Sequence, residues 1–202
     1  MSDAISMKAL SLTQPWADVI VEEDKRLENR VDRGPWRAGC SYRGPVLLHA
    51  AIGLGTRRAL AETIQLVRSA GVPQSFIDER FERVIGPSTG LGYWRPRPKL
   101  RLGGFVGLAK IVDALDDRPT IYGGFSKHID FLERTRPDFK NQRRFWFGGF
   151  ALVLADVEPL PFVPWSGALG LFNVDLRKLV ELARMRTDAP EIGSAYSTLG
   201  AE

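Results

Sequence analysis

The sequence is short of the residues that thiol and metal chemistry need. Cys40 is its only cysteine, so no disulfide can form within the chain. His49 and His128 are its only histidines, too few to complete a Cys/His zinc site except across subunits. Neither a metal nor a cofactor is expected. Cys40 lies in a loop-like stretch, Arg37 to Tyr42, with no adjacent base to deprotonate it, which argues against a thiol nucleophile. No apolar run reaches the roughly eighteen residues that a membrane helix requires. The N-terminus has neither the basic start nor the long apolar stretch of a signal peptide. The expectation is a monomeric, cytoplasmic protein with no membrane partner.

Lysine is scarce too, with 7 Lys against 21 Arg. Arginine offers a planar fork that matches phosphate and stacks on rings, whereas lysine is a solvated point charge. A genome-wide bias toward arginine would give the same excess. The net charge is only +4 and the pI about 9.4. With 202 residues, 44% hydrophobic and 26% charged, the chain is long enough for one well-buried core. A single domain over residues 1–186 is expected, followed by a small, polar, flexible tail over 187–202.

Lys8 to Leu12 reads as a short strand, and Pro15 opens a helix through Trp16 to Val21. Arg26 to Val31 alternates in the manner of a strand, with Arg26, Glu28 and Arg30 on one face and Lys25 approaching from the turn before it. Arg33 to Gly39 reads as a loop. Pro45 to Ala51 is a continuous apolar run and so a buried strand. Helical spacing appears over Thr56 to Ala70, and again from Phe76 to Ile85 with a glycine after it. Gly104 to Asp113 and Phe150 to Val157 are further strands, and the glycines in the first invite a bulge or tight curvature. Pro159, Pro161 and Pro164 continue as an extended segment, and Leu176 to Met185 is an amphipathic helix. The fold class predicted is α+β and barrel-dominated: a small barrel of about six strands with flanking helices. A doubly wound parallel sheet is the weaker alternative, because the second half lacks regular strand–helix alternation.

The order of motifs resembles the ASCH family, relatives of the PUA RNA-binding domain. The pieces are Leu10-Ser11-Leu12-Thr13-Gln14-Pro15-Trp16-Ala17, Lys25-Arg26-Leu27-Glu28-Asn29-Arg30, Tyr42 to Ala50, Gly107 to Asp113 and Gly167 to Phe172. They extend over most of residues 7–174. The resemblance implies a PUA-like six-stranded barrel with a cleft lined by the Lys-x-x-Glu-x-Arg segment. It also implies an RNA-binding module, in a family where some members cleave RNA or deacetylate N4-acetylcytidine. Against that family, residues 56–85, 91–102 and 115–148 look like insertions. One departure is chemical: the small amidohydrolase branch has Thr three positions after its catalytic Lys, where this chain has Glu28. Lys25 and Arg30 match that branch, but the Thr role has no equivalent.

The candidate ligand-binding residues are Gln14, Trp16, Lys25, Glu28, Arg30 and His49. Lys25 and Arg30 suit a phosphate or a base carbonyl, and Glu28 suits an exocyclic amine or ring N–H. If the protein is an enzyme, Lys25 and Glu28 are the catalytic pair, acting on RNA or a modified pyrimidine nucleoside without a metal. Trp16 and His49 have bland readings as core residues. Arg95, Arg97, Arg101, Arg143 and Arg144 occur among aromatic residues, a composition suited to nucleic-acid backbone. The expected partner is RNA, another single-stranded nucleic acid, or a nucleoside or nucleotide. A protein-interaction adaptor is a third possibility, one that leaves the charged segment unexplained.

Overall fold

The computed structural model describes residues 6–30, 41–85, 92–117 and 127–185. Cys40, the Arg33 to Gly39 loop and the 187–202 tail lie outside the described residues. In chain order the elements are β1 (Ser6–Leu12), α1 (Trp16–Glu22), β2 (Leu27–Arg30), β3 (Gly44–Ala50), α2 (Arg57–Ser69), α3 (Gln74–Arg80), β4 (Phe81–Ile85) and β5 (Gly92–Pro96). There follow β6 (Gly104–Asp117), α4 (Lys127–Thr135), two 3-10 turns (Pro137–Phe139 and Gln142–Phe145), β7 (Gly149–Pro164), β8 (Leu171–Asp175) and α5 (Leu176–Met185).

Six strands form one mixed sheet in the order β2-β7-β6-β3-β1-β8, with β1 parallel to β3 and the other pairs antiparallel. The predicted barrel is not closed: among the described residues the edge strands β2 and β8 do not pair. The sheet is nevertheless strongly curled. Four strand spacings, roughly 19 Å along a flat sheet, separate β2 from β1. Yet Arg30 on β2 donates from Nη2 to Ser11 O on β1 at 2.8 Å. A side chain crosses the gap that a backbone ladder would fill in a barrel. The curl comes from β6, whose register against β7 slips three times, at Phe105/Gly107, Leu108/Lys110 and Ile111/Asp113. Gly107 permits one of these slips, since a Cβ there would stand 2.8 Å from Glu158 O and 2.9 Å from Val21 Cγ2.

Alternation along the strands gives the sheet two apolar faces. Leu10 and Leu12 join Val46, Leu48 and Ala50 on the concave face, which Ala17 and Ile20 of α1 plug. Ala9, Leu47 and Phe105 face the other way, beneath Leu176 and Leu179 of α5. Leu27 packs with Leu115, Ile129 and Phe139 under α4. A fourth cluster joins Val19 of α1 to Leu60, Ile64, Phe76, Phe81 and Phe145, so α2, α3 and the β4–β5 ribbon dock on the far side of α1.

One expectation on local structure is corrected and one is sharpened. The helix predicted from Phe76 to Ile85 ends at Arg80, and Phe81–Ile85 is a strand paired with Gly92–Pro96. Val84 and Ile85 are β-branched, Tyr93 and Trp94 are aromatic, and both kinds favour strands. The extended segment through Pro159, Pro161 and Pro164 is the continuation of β7. Strand β2 covers β7 only over Phe150 to Val153, so beyond it β7 is an edge, where a missing N–H is tolerated.

Candidate charged site at the first strand–helix–strand unit

The turn from α1 into β2 carries Lys25. Asp24 takes a left-handed conformation, φ 58°, which Asp tolerates better than most residues. Gln142 holds both ends of this turn: its Nε2 donates to Asp24 O at 2.7 Å, and its Oε1 accepts from Arg26 N at 2.7 Å. The Lys25 side chain is thereby directed inward, and the residue is 1% exposed. Its ammonium donates to Leu27 O, lies 3.5 Å from Glu28 Oε2, and sits 5.1 Å from the centre of the Trp16 ring. Glu28 is 6% exposed, and its other oxygen lies 3.3 Å from Arg30 Nε. A single carboxylate is thus held between two cations on the concave side of the sheet.

Burial drives the Lys25 pKa down to about 8, against the partial opposition of Glu28 and with reinforcement from Arg30. A lysine in that range exchanges its proton near neutral pH, which an ordinary surface lysine does not. Trp16 lies over the ammonium, and Phe147 packs on Trp16 with ring centres 5.4 Å apart. Asn29 fixes that second ring from β2, donating to Phe145 O at 2.8 Å and accepting from Phe147 N at 3.2 Å. The site is therefore enclosed by two rings, where the sequence suggested an open cleft.

The other predicted site residues divide. Trp16, Lys25, Glu28 and Arg30 come together. Gln14 is buried at their border, but both ends of its amide are engaged: Nε2 donates to Arg101 O at 2.7 Å, and Oε1 accepts from Asp18 N at 3.3 Å. Arg26 turns away to Ile20 O and Asp24. His49 lies on the opposite face of the sheet. Its Nε2 meets Trp165 O at 2.9 Å, and its ring packs edge-on to Phe105 and Phe172. Burial lowers its pKa. It lines a separate cavity of about 1000 Å³ with Ser11, Thr13, Ile52, Trp165 and Leu169. Ser11 touches both regions, through its carbonyl on one side and the cavity wall on the other.

The five arginines assigned to nucleic-acid backbone are scattered. Arg95 pairs with Glu82, Arg101 with Asp18 and Glu22, and Arg143 with Asp130. Arg144 stacks on Phe145, 4.5 Å from the ring centre. Arg97 is exposed beyond the end of β5. Sequence reasoning missed Gln142 and Asn29, which position the turn and the covering rings. An uncharged amide inside the Arg-aromatic stretch 134–147 was the one hint of the first, and its partners lie 116 and 118 residues away.

Among solved structures, the chain is similar to a serine-to-alanine mutant of ZmASCH from Zymomonas mobilis, at 14% identity and a TM-score of 0.37, the match covering 87% of this chain and 94% of that one. No family model and no curated protein matches it. So loose an overlap positions no side chain, and the chain's own residues have to carry the chemistry. No described helix is long and apolar enough to cross a membrane.

Proposed function

We propose that the protein is an RNA- or nucleotide-binding module of the ASCH kind that takes a base at Lys25, Glu28 and Arg30. The observation that carries this reading is the arrangement of charge: one enclosed carboxylate, 3.5 Å from an ammonium and 3.3 Å from a guanidinium. Such a cluster does little for stability, because desolvating three charges offsets most of their attraction. It suits recognition well. A carboxylate accepts from an exocyclic amine or a ring N–H, and the flanking cations donate to a ring carbonyl. Trp16 offers a flat apolar wall for the same heterocycle. A base reaches Glu28 when Trp16 and Phe147 part, and both rings are partly exposed.

Calorimetric titration with a panel of free nucleosides tests the reading. At least one should bind, and Glu28→Gln should weaken it by about tenfold or more while the circular dichroism spectrum is unchanged; loss of one charged hydrogen bond sets that scale. Equal affinity in the two proteins, or no nucleoside bound by the wild type, overturns the site.

A second reading is favoured by the Lys25 pKa of about 8. In it Lys25 accepts a proton from water and Glu28 relays it, in hydrolysis of RNA or of a modified pyrimidine nucleoside. Turnover of labelled single-stranded RNA or N4-acetylcytidine should then rise with pH to a plateau above about 8 and vanish in Lys25→Met. Absence of product from both substrates overturns it.

A further inference from the structure

We infer that the face built from α2 and the β4–β5 ribbon is a second contact site, for the sugar-phosphate backbone of single-stranded nucleic acid. The inference rests on the nucleic-acid reading above but not on the base site. Residues 56–102 hold nine Lys or Arg against four Asp or Glu, an excess of five, while the whole chain has an excess of four. The remainder of the protein is therefore slightly acidic, and its basic character belongs to this segment.

The nine cations divide cleanly. Arg58, Arg80, Arg95, Lys99 and Arg101 all pair with carboxylates. Arg57, Arg68, Arg83 and Arg97 form no ion pair among the described residues. These four lie along α2 and the ribbon. Arg57 and Arg68 are eleven residues apart on α2, close to three helical turns, and so share a face. The Arg57 guanidinium stacks on Tyr93, 4.5 Å from the ring centre, and that of Arg68 on Trp94 at 5.0 Å. The Arg68 Nε, buried against that indole, has no hydrogen-bond partner. Arg83 stands opposite Trp94 in the ladder. Its Nε lies 2.7 Å from where a Cβ of Gly92 would be, so the glycine lets the guanidinium lie across the ribbon. Arg97 follows immediately, its N–H bonded to Arg80 O at 2.7 Å.

Stacking on a ring orients a guanidinium without neutralising it, and a planar fork without a carboxylate is what phosphate recognition uses. Surface arginines recruited for solubility or fold would be expected to meet the four local acids, and these are already taken up by other partners: Glu62, Glu79 and Glu82 by cations, and Asp78 by Gln74 at 2.7 Å. An anionic membrane surface would also attract such charge. Ring-stacked arginine favours the nucleic acid, since the one lysine of the segment is already paired.

The test is fluorescence anisotropy of a labelled single-stranded RNA dodecamer with the full chain, across a range of salt. Each phosphate contact on a single strand contributes about 0.7 to the slope of log affinity against log salt. Substituting three exposed arginines together, Arg57→Gln, Arg83→Gln and Arg97→Gln, should lower that slope by about 2 and leave free-nucleoside affinity unchanged. Lys25→Met should keep the slope. RNA binding that loses its slope in the triple variant, with no nucleoside bound by the wild type, upholds this inference and removes the base site. Nucleoside binding with no tighter binding of the dodecamer, or an unchanged slope in the triple variant, overturns it. So does cosedimentation with phosphatidylserine vesicles in the absence of RNA binding.

Discussion

Two clusters of buried charge flank helix α1, and they are built on different principles. On the side facing α2 and α3, Asp18 is fully buried and gives one oxygen to Arg80 Nε at 3.0 Å and the other to Arg101 Nη2 at 2.6 Å. Glu22 pairs with both guanidiniums, and Arg80 also donates to Phe76 O at 3.1 Å while stacking on that ring. Two carboxylates answer two arginines, each fork well filled. On the concave side, among the described residues, one carboxylate lies against two cations, and one of those is a lysine held at 3.5 Å. The first arrangement is closed and resists change. The second has, among the described residues, more cations than carboxylates, and a proton held loosely enough to leave near pH 8. Burial alone does not separate a lock from a site; the choice of cation does.

The sharpest way to break this comparison is to remove one cation from each cluster. Arg80→Met leaves Asp18 sealed in with half its partners and should cost about 3–5 kcal/mol in urea unfolding. Lys25→Met removes a charge that is costly to bury, leaves Glu28 with Arg30, and should be neutral or stabilising at pH 7. Equal losses in the two variants would erase the distinction.

A second comparison uses pH. The Lys25 ammonium has a folded pKa of about 8 against 10.5 in the unfolded chain. Between these values the unfolded state binds more protons, so stability rises with pH from about 8 and levels off above 10.5. The gain is about 3 kcal/mol. It should appear in the difference between wild type and Lys25→Met, because Tyr42, whose phenol burial pushes upward, titrates in both proteins. A flat difference curve would mean that Lys25 is solvated.

The local parts of this site are legible in the sequence, and the long-range parts are not. Gln14-Pro15-Trp16 and Lys25 to Arg30 gave a strand, a short helix and a strand, and the period-2 alternation put Glu28 beside Arg30. Lys25 belongs with them because a turn can point a side chain either way, and Gln142 decides which. That decision depends on a partner more than a hundred residues along the chain. The misplacement of His49 is a matter of parity. Ser11 pairs with His49, and Leu10 with Leu48, so a run of apolar residues buried on both sides gives no sign of which face the imidazole takes. The barrel failed for a similar reason: glycines foretold the bends in β6, but closure requires the edges β2 and β8 to pair, and instead an arginine side chain of β2 reaches β1.

The smallest expected effect concerns the pair of rings over the concave cluster. Phe147 is 38% exposed and packs on Trp16, which lies over the Lys25 ammonium. Phe147→Ala should therefore lower stability by about 1 kcal/mol, the scale of a partly exposed aromatic pair. Its effect on access should be larger. With one ring gone, Trp16 loses part of its support, and Lys25, unprotonated in part at pH 8, should react several-fold faster with an amine-directed acylating reagent, read by peptide mass spectrometry. The exposed Lys99, paired with Glu79 at 2.6 Å, serves as the internal reference. An unchanged ratio of Lys25 to Lys99 labelling would mean that the two rings do not gate the cluster, and that any ligand must reach Glu28 by another way.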